Sequence, residues 1–286
     1  SAALKKNIRL MNYSMKWYGL CRFRLHRLGK SHPHNVIKYS MLVRIFSGKF
    51  FQSNRAMLKS NMQFLEGRQH MVRGRKNRWT QFRFRFLQKQ HVQKTFQALY
   101  VKSGYMPNEA IFIATHSSWW DPLILFELEQ KKQTPSIYTM INEALFKKYK
   151  IFSNNGAFPV QLASDDEAIK AFQYADLLLT EGQSVALFPQ GRIQQQDERP
   201  ITLQPSLLRL LMLCRDVPII PTTMYYTYRD KQKAEVWVSF GDPIYQEHTP
   251  VHKTSMLEKI LTAQLDELRL DAIHNATDRY KNVLHV

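Results

Sequence analysis

The rhythm of apolar and polar positions changes near residue 109, and the two regimes predict different elements. Before that point aromatic residues interleave with Arg and Lys, as in Met15-Lys-Trp-Tyr-Gly-Leu-Cys-Arg-Phe-Arg-Leu25. The segment from Val36 to Phe51 is more apolar but still carries Lys38, Arg44 and Lys49. Phe82-Arg-Phe-Arg-Phe86 alternates with period two, over too short a stretch to separate strand from helix. Such interleaving suits amphipathic helices with an apolar face and a cationic rim.

From about Glu109 onward the pattern is that of strands and helices in alternation. Ala110-Ile-Phe-Ile-Ala-Thr115 is a short apolar run of the buried-strand kind. A helix is predicted over Pro122 to Lys132, where proline fits the first helical position. Strands are predicted at Ser136 to Ile141, around Ala157 to Val160, and at Ser184 to Pro189. Ser164-Asp-Asp-Glu167 has the form of a capping box, opening a helix with Ala168, Ile169, Phe172 and Ala175 at helical spacing and an end near Gly182. A helix over Pro205 to Arg215 precedes two strands, Val217 to Tyr226 and Ala234 to Phe240. The last helix starts near Ser255, with Leu257, Ile260, Leu261, Leu265 and Leu268 on one stripe. This order predicts an α/β fold: a mixed, largely parallel central sheet flanked by helices, behind a basic amphipathic helical N-terminal region. The boundary is drawn between a region 1–105 and a domain 106–286.

Charge sharpens that division. The net charge is +18, yet residues 1–105 hold 23 Lys and Arg against a single acid, Glu66. The remainder is slightly acidic, so the basicity marks a partner more than a fold. Anionic lipid, nucleic acid and an acidic carrier protein are the candidates, and the aromatic interleaving favours a membrane surface over nucleic acid. No apolar run reaches the roughly 18 residues that a spanning helix needs, so a peripheral position on a cytoplasmic membrane face is expected. The chain begins Ser-Ala-Ala, which leaves room for an upstream targeting or membrane segment. Cys21 and Cys214 have no metal-ligand spacing, nor do His32 and His34. No metal is expected, and Asp165, Asp166 and Glu167 read as helix-start acids.

Candidate chemistry centres on Thr115-His-Ser-Ser-Trp-Trp-Asp121, which follows the predicted buried strand. Loops leaving the carboxyl ends of such strands are where α/β proteins gather reactive groups. Imidazole moves protons near neutrality, and a carboxylate on its second nitrogen fixes the tautomer. His116 in the loop and Asp121 at the start of the following helix could form that pair. The bland alternative is an Asp121 that only caps its helix beside a loop histidine. Ser117 is a poor nucleophile for His116, because adjacent side chains in extended backbone point apart.

The ordered set Thr115-His-Ser-Ser-Trp-Trp-Asp121, Gly156-Ala-Phe-Pro-Val160, Phe188-Pro-Gln-Gly-Arg192 and Val217-Pro-Ile-Ile-Pro221 resembles the four successive blocks of the glycerophospholipid acyltransferase family. Those blocks usually read NHxxxxD, GxxFxxR, FPEGTR and Pro-Ile-x-Pro. The resemblance implies acyl transfer from acyl-CoA or acyl carrier protein to a hydroxyl of glycerol 3-phosphate or a lysophospholipid. It implies His116 as general base, Asp121 as its orienter, and no resident cofactor. Gly156, Phe158, Phe188, Pro189, Gln190, Gly191 and Arg192 would bind the acceptor, and backbone N–H groups near Gly191 are candidates to meet developing negative charge. Trp119 and Trp120 either line an acyl groove or belong to the hydrophobic core.

The departures from the family pattern bear on the acceptor. Thr115 stands for Asn, Gln190 for Glu, Arg192 lies one place before the family's Arg, and Gln161 or a neighbour occupies the second block's Arg position. Either Arg192, or Lys147, Lys148 and Lys150, grips an acceptor phosphate from a different position, or the acceptor is a glycosylated or isoprenoid lipid without that phosphate. An expectation of another class is a non-catalytic lipid- or nucleic-acid-binding protein on the same fold. Tyr225, Tyr226 and Tyr228 read as strand-end packing.

Overall fold

A computed structural model of the protein describes residues 74, 88–149, 152, 155–161, 165–214, 217–245 and 254–285. The chain divides into two compact units, Ser1–Gln69 and His70–Val286, and the described residues belong to the second. The amphipathic segments expected up to residue 86, with Cys21, His32 and His34, lie outside them, as do Lys150 and the Ser164 cap.

The apolar runs become an eight-stranded sheet. Its strands are β1 (Phe96–Ser103), β2 (Ile111–Ala114), β3 (Ile137–Asn142), β4 (Phe158–Val160), β5 (Ser184–Leu187), β6 (Ile219–Thr227), β7 (Ala234–Phe240) and β8 (Lys281–Asn282), in the order β4-β3-β5-β2-β6-β7-β1-β8. The pairings from β4 through β6 are parallel, β7 runs antiparallel to β6, and β1 is parallel to β7. Five parallel strands therefore deliver their carboxyl ends to one edge, where ligands of open α/β sheets bind. Sequence reading drew the domain boundary after residue 105, but β1 lies before it and pairs with β7 along its length.

Period-two geometry splits each strand between two cores. In β2, Ile111 and Ile113 enter one hydrophobic cluster, while Phe112 and Ala114 enter the other. Helices α3 (Asp165–Thr180), α4 (Ser206–Leu213) and α5 (Thr254–His274) supply the first cluster. Helix α1 (Asp121–Gln130) and Val92 of the helical stretch 88–95 supply the second. A further short helix, α2 (Glu143–Lys148), follows β3. Because both faces are covered, the alternating β7 is buried at every position. Its Glu235 is satisfied there by Arg229 Nε at 2.8 Å and Trp237 Nε1 at 3.1 Å.

Two details of the helix stripes differ from expectation. In α3 the buried stripe is Ala168, Ala171, Phe172, Ala175, Leu178 and Leu179, whereas Ile169 is 41% exposed. Ile169 lies one residue, about 100° of helix rotation, from the centre of that stripe. In α5 the buried leucines are Leu257, Leu261, Leu265 and Leu268, with Ile260 at the margin. Gly182 has φ of +75° and closes α3 in the left-handed region that glycine adopts without penalty.

Candidate active site

His116 stands two residues beyond β2, and the sheet register explains why its neighbours converge on it. Ala114 pairs with Thr222, so β6 runs on to Thr227 past the end of β2 and overhangs the His116 loop. Thr115 secures the crossing: its N–H donates to Thr222 O at 3.0 Å, and its hydroxyl accepts from Met224 N–H at 3.3 Å. The residue that departs from the usual Asn thus holds backbone to backbone.

Asp121 opens α1 beside Pro122 in the first helical turn, and its side chain turns back toward the loop it follows. Its Oδ2 accepts from Ser117 N–H at 2.8 Å, Ser118 N–H at 2.9 Å and His116 Nδ1 at 2.8 Å. It therefore serves the preceding loop and not its own helix, whose N-cap is Trp120 without a side-chain bond. It folds residues 116–121 into a tight turn and fixes the imidazole. The side chain of Asp121 is 0% exposed and that of His116 is 14% exposed. An ionised carboxylate only accepts, so Nδ1 carries the ring proton and Nε2 is left as the basic nitrogen.

Tyr226, on the β6 overhang, donates its hydroxyl to Asp121 Oδ1 at 2.6 Å. Burial first, and then the adjacent Asp121 carboxylate, push that hydroxyl well above the ordinary phenol range, so it stays a donor. Sequence reading assigned Tyr226 to strand-end packing and missed this contact. Its neighbours do pack or point outward: Tyr225 is buried and Tyr228 is exposed. Replacing the hydroxyl alone tests the contact. Tyr226→Phe should lower kcat on the order of 10- to 100-fold with little change in KM, as expected for losing a hydrogen bond to a charged group. Steady-state kinetics would check this, and an unchanged kcat would reduce Tyr226 to packing.

The segment Phe188 to Gln196 closes the other side. Pro189 and Gln190 occupy the corner of a turn in which Gly191 N–H donates to Phe188 O at 3.2 Å, with φ of +76° at Gly191. That N–H is committed to the turn. The Phe188 ring stacks on His116, with centroids 4.5 Å apart at 30°. Gln190, expected to face the acceptor, points inward: Oε1 accepts from His116 N–H at 2.6 Å and Nε2 donates to Gln194 Oε1. Gln194 N–H donates to His116 O at 2.9 Å, and Gln196 exchanges two hydrogen bonds with the Tyr226 backbone. These glutamines strap the turn to both the His116 loop and the β6 overhang.

A cavity of about 270 Å³ opens beside His116. Its lining includes the apolar Met140, Val160, Phe172, Leu187 and Leu207 and the polar Asn142, Arg192, Gln204 and Ser206. Phe188, Pro189, Gly191 and Trp119 also line it. Three other residues expected at the site, Trp120, Phe158 and Gly156, do not line this cavity. Trp120 packs edge-on against Phe96 at 5.1 Å. Phe158 is buried against Tyr174, centroids 5.0 Å apart. Gly156, at φ of +86°, accepts from Thr139 N–H at 3.2 Å and abuts Gly74, where a Cβ would meet Gly156 O at 2.9 Å. The side chain of Arg192 is 73% exposed, 3.9 Å from Glu198. Lys147 pairs with Glu143 at 2.8 Å, and Lys148 lies over the Tyr149 ring.

No cluster of His, Cys, Asp or Glu among the described residues has metal-binding geometry. Glu167, in the first turn of α3, pairs with Lys170 at 2.6 Å.

A family model described as Acyltransferase matches residues 83–225, half of the chain, from before β1 into β6. The chain belongs to the acyltransferase family. No curated protein matches it. The matched span of this acyltransferase holds the His116 loop, Asp121 and the Phe188–Arg192 turn, and stops one residue short of Tyr226. Among the described residues no helix is long and apolar enough to cross a membrane.

Proposed function

We propose that this acyltransferase moves a fatty acyl group from acyl-CoA or acyl carrier protein to a hydroxyl of a lysophospholipid or glycerol 3-phosphate-type acceptor. The observation that carries the proposal is the His116 Nδ1 contact with a fully buried Asp121, beside an open cavity. Nε2 takes the acceptor hydroxyl proton as the oxygen attacks the thioester carbonyl. The tetrahedral intermediate collapses, the carbon–sulfur bond breaks, and the departing thiolate receives the proton from the imidazolium. Asp121 stabilises that imidazolium between the two steps. No acyl-enzyme is required, and Cys214 is buried with its thiol 3.7 Å from Asp176.

The two kinds of lining residue suit the two parts of the acceptor complex. Methylene chains suit the apolar lining residues Met140, Phe172 and Leu207, and Arg192 can meet an acceptor phosphate. A second reading rests on the same lining. Arg192 is the one Lys or Arg among the described residues lining the cavity, and Asn142, Gln204 and Ser206 suit the hydroxyls of a glycosylated lipid. In both readings the basic first third holds the enzyme at an anionic membrane surface, peripherally and on the cytoplasmic face. There each Lys or Arg near the surface contributes about 1 kcal/mol.

Thiol release from acyl-CoA, measured across a panel of acceptors, tests the reaction and chooses the acceptor. Acceptor-dependent release with glycerol 3-phosphate or lysophosphatidic acid is expected. Release only with glycolipids would select the second reading. Acceptor-independent background throughout the panel, with acyl-CoA and acyl carrier protein alike, would leave a binding protein on an acyltransferase fold.

A further inference from the structure

We infer that the rim of the His116 cavity is itself a membrane-inserting surface whose partner is the headgroup layer of an anionic lipid membrane. The inference goes beyond the role given to the first third of the chain, although it rests on the reading that lipid enters this cavity. Its starting point is a set of apolar side chains that the fold leaves bare. Trp119, Leu145 and Ile193 are 43%, 37% and 50% exposed, and all three line the cavity. They come from three separate segments, the loop after β2, helix α2 and the loop after β5, so no local sequence pattern gathers them. The fold brings them to one opening.

Helix α2 carries the second part of the argument. Its sequence is Glu-Ala-Leu-Phe-Lys-Lys, opened by Asn142, whose side chain accepts from Ala144 N–H at 2.8 Å. None of its six residues is buried. Of its residues Phe146 packs on the small cluster around Leu123, Ile141 and Phe152, while Leu145 stays exposed and lines the cavity. A helix normally survives by burying an apolar stripe, and α2 buries little on the protein side. An apolar medium at the mouth would complete it.

The charges around this rim choose the medium. Lys147 and Arg192 have side chains 70% and 73% exposed, paired with Glu143 at 2.8 Å and Glu198 at 3.9 Å, and with Lys148 the cations outnumber those two acids. Lys148 lies 5.1 Å over the Tyr149 ring, which in turn meets the edge of Trp119 at 6.3 Å. Aromatic rings with polar edges, flanked by long cationic side chains, match the boundary between headgroups and acyl chains. Anionic headgroups complement the cations, and Trp119, Leu145 and Ile193 enter the apolar layer. The cavity would then open into the membrane, and a lipid acceptor would reach His116 without its chain crossing water.

A probe on the rim separates this surface from the basic first third. In the full chain with Cys21→Ser, Leu145→Cys is labelled with an environment-sensitive fluorophore, Cys214 being buried. Vesicles of phosphatidylcholine with phosphatidylglycerol should shift the label's emission to the blue and expose it to lipid-borne quenchers. Phosphatidylcholine alone should do so weakly, and Lys147→Glu/Lys148→Glu should reduce the shift. The same label at Leu270→Cys on α5, also exposed, should keep its aqueous emission. An aqueous spectrum at position 145 while the protein pellets with anionic vesicles would overturn the inference, leaving the first third as sole tether. A shift with an acidic acyl carrier protein but not with vesicles would overturn it too, in favour of a protein partner. The readout needs no turnover, so repeating it in His116→Ala keeps failure of the rim distinct from failure of the proposed reaction.

Discussion

His116→Ala should reduce acceptor-dependent thiol release by about 10²- to 10⁴-fold, the usual worth of a positioned general base. The substitution removes Nε2, the nitrogen that the Asp121 contact leaves free to take a proton. It should leave the surrounding turn standing. Asp121 keeps Ser117 N–H, Ser118 N–H and the Tyr226 hydroxyl as donors, and Gln190 still accepts from the backbone N–H of residue 116. The packing loss is confined to the stack on Phe188. Far-ultraviolet circular dichroism and a thermal melt close to those of the parent would therefore accompany the loss of activity. Turnover equal to the parent's, with the same acceptor dependence, would remove His116 from the reaction.

For Asp121→Asn the expected loss is of similar or greater size, with KM little changed. In a Ser-His-Asp triad the corresponding change lowers turnover on the order of 10⁴-fold. The geometry here indicates how the amide would sit. Three N–H donors converge on Oδ2, so the amide oxygen should take that place and the amide nitrogen should face Tyr226, whose hydroxyl can rotate to accept. The imidazole keeps its orientation but loses the negative charge that stabilises it once protonated. Asp121→Ala should also destabilise the fold, because it leaves the half-buried Ser117 and Ser118 N–H groups without their acceptor, at less than the about 1–3 kcal/mol that a fully buried unsatisfied group costs. Groups that act as a unit are not additive, so His116→Ala/Asp121→Asn should be hardly slower than the worse single variant. Kinetics and melting curves of the four proteins check this. An Asp121→Asn enzyme with parental kcat would show that the carboxylate organises the turn and nothing more.

Much of the parallel half of the fold was legible because its signals are local. Four consecutive buried residues make β2, proline opens α1, and Gly182 ends α3. Strand β7 is legible to the residue, and it is buried at every position. Strand β1 was not read. Phe96 to Ser103 carries Gln97 and Lys102, lies among basic residues, and finds its partner in a strand near residue 234. Nothing in the local sequence of either segment names the other as its partner. Within the site, His116 and Asp121 could be paired from the loop between β2 and α1, because five residues are enough to make a turn. Gln190 could not be turned inward on paper, since its partners are the His116 backbone and the side chain of Gln194.

What the sequence determined by itself is therefore the part that short-range physics specifies: a basic, aromatic-laced first third, an α/β order after it, and a histidine and a carboxylate at the end of a buried strand. Tertiary structure alone decided which side chains meet that pair. A strand overhang carries Tyr226 onto Asp121, a turn stacks Phe188 on His116, and three distant segments gather Trp119, Leu145 and Ile193 at one opening. The reason is that register and strand order set these distances, and both come from packing two cores at once against a single sheet.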